Sequence, residues 1–135
     1  MRHLASLVVI ILASLNVGCA CCQAPAPTGS SATLGSLRHV VVFKFKDGTP
    51  QAKVDEIVAA FGALKTTIAE ITGFEWGLNN SPEGKDQGFT HVFLVTFADA
   101  KGREAYLPHP EHEKFKALVG PHLAGVYVVD YYAKD

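Results

Sequence analysis

From position 37 onward the apolar residues recur with two different periods. In Leu37 to Lys46, His39, Val41, Phe43 and Phe45 point one way and Val40 and Val42 the other, until Lys44 and Lys46 take that side over. This is the pattern of a strand covered on both faces. Asp47-Gly48 turns the chain, and Thr49-Pro50 is expected to open a helix, threonine as cap and proline at the first position. Val54, Ile57, Val58, Phe61, Leu64 and Ile68 then fall on one helical stripe, with Asp55, Glu56, Lys65 and Glu70 mainly outside it. Gly73 is expected to end that helical region. Phe74 to Leu78 and Phe89 to Phe97 alternate as half-buried strands joined through the polar stretch Asn79 to Gly88. Asp99 caps a short helix through Ala105, and a further helical segment carrying Phe115, Leu118 and Val119 runs to Gly120-Pro121. Val126 to Tyr132 is the last strand, β-branched or aromatic apart from Asp130.

The order βαββαβ predicts an α+β, ferredoxin-like fold: an antiparallel sheet with the helices on one face. Right-handed crossovers are expected to set strands one and three side by side and parallel, which would bring His39 and His91 to the same end of the sheet. Helices can cover only one face, so apolar side chains such as Val92 and Leu94, or their opposite numbers, remain on the other. A second copy of the sheet is the expected cover, which makes the protein a homodimer.

The first 36 positions read differently. Arg2 and His3 precede the apolar run Leu4 to Leu15, too short for the ~20 residues of a membrane span but suited to the core of a secretory signal. Gly18-Cys19 fits a lipobox, although Asn16 departs from it, and ordinary cleavage near Ala20 or Ala24 is the alternative. Cys19, Cys21 and Cys22 are the chain's three cysteines, so the domain uses none in its core. Residues 1–22 are therefore expected to be a signal and lipobox region, with lipidation at Cys19. Residues 23–36, uncharged and rich in Ala, Pro, Thr, Gly and Ser, form a flexible linker, and 37–135 form one domain. The protein is expected to be exported to the cell envelope and to touch the membrane only through its lipid anchor. Leaving Arg2 aside, eleven Lys and Arg stand against thirteen Asp and Glu with no basic run, which argues against nucleic acid as a partner.

Candidate chemistry gathers in Tyr106-Leu107-Pro108-His109-Pro110-Glu111-His112, a phenol and two imidazoles in seven positions, broken by two prolines. A helix opening at Pro110 puts His109 on its N-cap side and His112 in its first turn, where the positive helix end favours the neutral imidazole. A neutral imidazole can act as a base. The competing reading is that these are cap and packing residues only. His109 and His112 flanking Glu111 are a weak metal set beside zincin-type spacing, so neither a metal nor a cofactor is expected.

Leu37 through Asp47 with its leading His39, Gly88-Phe89-Thr90-His91-Val92, Tyr106 through His112, and Val128 to Tyr131 together resemble the stress-responsive dimeric α+β barrel, or Dabb, family. The resemblance covers essentially all of Leu37 to Asp135. It implies two ferredoxin-like subunits whose sheets meet as a barrel. The family includes a cofactor-free plant polyketide cyclase that makes olivetolic acid. Resemblance to that enzyme implies His112 as general base, Tyr106 assisting it, and His39 and His91 lining or bordering the same pocket; His109, from its place in the corner, is a further ligand-binding candidate. The expected function is binding of a small apolar or aromatic molecule in this His/Tyr pocket at the bacterial envelope. The alternatives are a cofactor-free enzyme of cyclase, isomerase or monooxygenase type, and a structural or partner-binding lipoprotein whose pocket is filled by its own side chains.

Overall fold

The computed structural model describes residues 35–134; the expected signal and lipobox region, Cys19 and the linker up to position 34 lie outside the described residues. The elements are β1 (Leu37–Phe45), α1 (Gln51–Thr67), β2 (Ile71–Leu78), β3 (His91–Phe97), α2 (Ala100–Tyr106), α3 (Pro110–Val119), a 3-10 turn (Gly120–His122) and β4 (Leu123–Tyr132). The strands form one sheet in the order β2-β3-β1-β4. Every neighbouring pair is antiparallel. This is the ferredoxin-like α+β arrangement, with the expectation of a parallel β1–β3 pair corrected. The crossover through α1 makes β2, not β3, run with β1; the turn after β2 then reverses β3, which slots between them.

The correction moves one candidate. His39 lies opposite Val95, and His91 lies opposite Phe43. The two histidines share a face, but they are four residues apart along the strands, about 13 Å at ~3.3 Å per residue. They sit towards opposite ends of the sheet.

Two local expectations also change. Pro50 rather than Thr49 is the N-cap of α1, and no side chain bonds the helix end there. The Thr49 hydroxyl instead donates to the Lys46 carbonyl at 2.8 Å, closing the preceding turn. Gly73 does not stop a helix but lies within β2, at a shift in register opposite Thr96. A Cβ there would stand 3.2 Å from the Thr96 side chain, so close strand approach explains the glycine.

The core lies between the sheet and the pair α1 and α3. Its centre is a group of aromatic rings: Phe61 stands 4.5 Å from Phe115 and 4.7 Å from Phe93, and Phe93 stands 5.0 Å from Phe43. Ile57, Ile68, Val95 and Phe97 complete it, all excluded from water. Burying side chains of this size contributes ~1.5–3 kcal/mol each relative to exposure. The sheet's other face carries half-buried Val40, Val42, Val92 and Leu94 beside exposed Tyr127, Val129 and Tyr131. β4 is an edge strand, and its helix-side residues Val126 and Val128 are about half exposed. A recess therefore opens between β4, β1 and the start of α3.

Candidate functional site

The recess is a cavity of about 290 Å³, walled by Val41, Phe43, Phe61, Phe115, Val119, Val126 and Val128, with His39, Tyr106, His112 and Lys116 as its polar side chains. Strand alternation puts His39 on the helix face of β1. The Tyr106 to His112 corner delivers the other two. Asp99 caps α2 by accepting from the Gly102 N–H at 3.1 Å, which aims Tyr106 inward from the last turn. The two prolines break the helical path between α2 and α3, and the His109 N–H donates to the Tyr106 carbonyl at 3.0 Å. His109 is then the N-cap of α3, its Nδ1 accepting from the Glu111 N–H at 3.2 Å. His112, in the first turn of α3, is buried.

The hydrogen bonds decide where the protons are. His112 Nδ1 lies 3.0 Å from the Leu107 carbonyl oxygen, which can only accept, so Nδ1 carries the hydrogen and Nε2 keeps the ring's lone pair. Burial lowers the His112 pKa below its ordinary 6.5, the Leu107 bond opposes this, and the charge of Lys116 adds to the lowering. The imidazole is therefore neutral at pH 7. Its ring lies on that of Tyr106, centroids 4.1 Å apart. Tyr106 is wholly buried, and its hydroxyl has no hydrogen-bond partner among the described residues. Burial pushes the phenol pKa up, so Tyr106 stays a protonated donor.

His39 is held by a residue that sequence reasoning did not select. Its Nδ1 donates to Asp130 Oδ1 at 2.6 Å, and the other carboxylate oxygen accepts from Arg103 Nη1 at 2.9 Å. The β1–β4 register puts His39 and Asp130 directly opposite. The available signal was that Asp130 is the one charge in an otherwise apolar strand.

Thus the structure brings His39, Tyr106 and His112 around one cavity and leaves two candidates apart from it. His91 packs edge-on against Phe45 at 5.0 Å, with Nδ1 2.8 Å from the Thr90 hydroxyl, and burial lowers its pKa. It does not line the cavity because β3 runs opposite to β1. His109 serves α3 as its cap. Among the described residues, no group of three or more His, Cys, Asp or Glu side chains is placed to share a metal ion.

A four-stranded antiparallel sheet under three helices, with an imidazole-and-phenol recess at one end, defines a ferredoxin-like α+β protein. The chain belongs to the Stress responsive A/B Barrel Domain (Dabb) family, whose pattern matches residues 37–133. It is 34% identical over 97 residues to the Stress-response A/B barrel domain-containing protein HS1 of Arabidopsis thaliana, spanning 72% of this chain and 89% of that one. It is 27% identical over 96 residues to the olivetolic acid cyclase of Cannabis sativa, spanning 71% and 95%. Among solved structures it resembles the hydroxynitrile lyase of Passiflora edulis, with TM-score 0.70, 25% identity and coverage of 74% and 94%. It also resembles a dimeric ferredoxin-like protein of unknown function from Jannaschia sp. CCS1, with TM-score 0.66, 26% identity and coverage of 73% and 100%.

Proposed function

We propose that this domain binds a small apolar or aromatic molecule bearing a hydroxyl or carbonyl oxygen, and that it can move a proton on that molecule without a cofactor. One observation carries the reading: the neutral His112 imidazole, its Nε2 lone pair unclaimed by the Leu107 bond, lies against the unpartnered phenol of Tyr106 in a cavity otherwise walled by hydrocarbon. His112 Nε2 accepts the proton, from an O–H or from a carbon beside a carbonyl. Tyr106 donates to the oxygen on which negative charge develops. Low polarity around the site strengthens both interactions. The cavity sits at the small end of the roughly 300–1,000 Å³ usual for ligand sites, which favours a compact ligand. Two relatives named as a cyclase and a lyase support a reactive pocket in this fold.

Mandelonitrile, an aromatic cyanohydrin, and acetophenone, an aromatic ketone, are the probes. Either is expected to raise the melting temperature of the wild-type protein, and cyanide release from mandelonitrile to exceed the buffer rate. His112→Ala should abolish both effects while leaving the fold nearly intact. If neither probe binds, or if His112→Ala binds them unchanged and loses more than ~2 kcal/mol of stability, the histidine is a core residue and the reading fails. Binding without turnover would retain the ligand site and remove the enzyme.

In the same proposal the chain is a homodimer joined through its open sheet face and an envelope lipoprotein. The dimeric state of the Jannaschia relative supports the first. The Leu4 to Leu15 run followed by Gly18-Cys19 supports the second. Cys19→Ser should leave an uncleaved or soluble species, and a mature N-terminus at Pro25 without lipid would refute the anchor.

A further inference from the structure

The cavity contains a second imidazole, His39, that the chemistry above does not use. Only 5% of His39 is exposed, and its ring lies 5.9 Å from Tyr106 and 6.1 Å from Phe97. The titratable and charged groups around it are Asp130 from β4, Arg103 and Tyr106 from α2, and His112 from α3. A carboxylate 2.6 Å from the ring draws it towards the protonated form, while burial of the ring opposes the charge, so what else holds that carboxylate matters. Here the carboxylate is shared. Arg103 holds Asp130 Oδ2 at 2.9 Å while Oδ1 takes the imidazole, so a permanent positive charge already neutralises the acid.

We propose that Arg103 is a positioning residue for His39: by neutralising Asp130 it lets that carboxylate orient the ring without fixing a proton on it, so that His39 offers Nε2 to the cavity as a second proton acceptor. The two imidazoles are then prepared alike. Each has its Nδ1–H tied to an acceptor, Leu107 for His112 and Asp130 for His39, and each keeps its lone pair on Nε2. The α2 end of the corner governs both, through the Leu107 carbonyl and through the Arg103 side chain. A pocket with two acceptors and one phenol donor suits a ligand that must lose a proton at one atom and be relieved of another, or regain it, nearby. That use rests on the acid–base reading of the pocket, but the tuning of His39 by Arg103 stands or falls by itself.

The test is the side-chain titration of His39, read by long-range proton–nitrogen NMR on the full-length protein with labelled histidine, with no ligand present. In the wild type, neutral His39 should carry its hydrogen on Nδ1. Arg103→Gln keeps a hydrogen-bond donor for Asp130 but removes the charge, and should raise the His39 midpoint. Arg103→Lys keeps the charge and should restore the wild-type midpoint. Asp130→Asn should lower the midpoint, and the double variant Arg103→Gln/Asp130→Asn should lose most of the upward shift. A midpoint that does not rise in Arg103→Gln, or one that rises equally in Arg103→Lys, overturns the proposal. So does a neutral His39 protonated on Nε2. Should Arg103→Gln fail to fold, an unchanged midpoint in Asp130→Asn overturns it instead. Failure of mandelonitrile or acetophenone to bind would sink the proposed function and leave these midpoints untouched.

Discussion

Tyr106→Phe removes one oxygen from a residue that is 0% exposed, and the sign of its effect on stability is informative. The hydroxyl has left water without gaining a partner among the described residues, a loss of about 1–3 kcal/mol for a buried unsatisfied group. Phenylalanine keeps the ring contacts with Phe97 at 5.1 Å and His112 at 4.1 Å, so little packing is lost. The substitution should therefore stabilise the free protein, by about 1 kcal/mol once the small void is allowed for, or a melting temperature about 4–8 °C higher in a domain of this size. Most core substitutions go the other way. Thermal unfolding followed by far-ultraviolet circular dichroism at pH 7.5 and one fixed protein concentration measures it, since a dimer's midpoint depends on concentration. The same variant should show no added stabilisation by mandelonitrile. A melting temperature lowered by the substitution would mean that the hydroxyl is already satisfied in the free protein, and the argument that it is reserved for a ligand would be refuted.

Three further outcomes follow from the geometry. The folded-state pKa of His112 lies below 6.5, so the stability linked to its neutral form is complete above that pH and is lost as pH falls through the folded value. Denaturant titrations between pH 7.5 and 5 should show this loss, and His112→Gln should flatten it; His91 is shifted in the same direction, so His91→Gln is the control, and an unchanged slope in both variants would contradict the assignment. His91→Ala should alter probe affinity by less than about threefold, because that ring sits at the other end of the sheet; a tenfold loss would place it in the site after all. The domain should run at twice its mass in light scattering, and Leu94→Lys on the open face should halve that mass; a wild-type monomer at micromolar concentration would remove the dimer.

Much of this was legible in the residues because each element announces itself locally. Strand alternation from Leu37, the helical stripe from Val54 to Leu64 and the proline-bounded corner at 106–112 are matters of period and backbone restriction, and they appear where periodicity put them. The direction of β3 is not a local property. It depends on following β2 back through the turn, and a wrong step there carried His91 to the wrong end of the sheet. Thr49 and Gly73 misled for a similar reason: a threonine before a proline and a glycine after a helical stripe are consistent with a cap and a stop, yet Thr49 bonds backward to Lys46 and Gly73 makes room for Thr96. Asp130 was visible as an odd charge in an apolar strand, but only register reveals that it faces His39. Arg103 shows nothing in sequence, because its importance lies in which oxygen of Asp130 it reaches.

The sheet order has a consequence for how such a pocket comes into being. β1 is synthesised first of the strands and ends up flanked by β3 and by β4, which is made last. His39 on the first strand and Asp130, Val126 and Val128 on the last are joined only when the final ten-residue strand zips onto β1, across nearly the whole length of the domain. Until then one edge of β1 is open and the recess has no outer wall. A contact so distant in sequence is slow to close. A ligand that fills the cavity touches Val126 and Val128 as well as Val41 and Phe43, so it holds β4 against β1. Supplied separately as a peptide, residues 123–134 would be a natural complement for a chain stopped at position 122, and a ligand that fills the cavity should tighten that association.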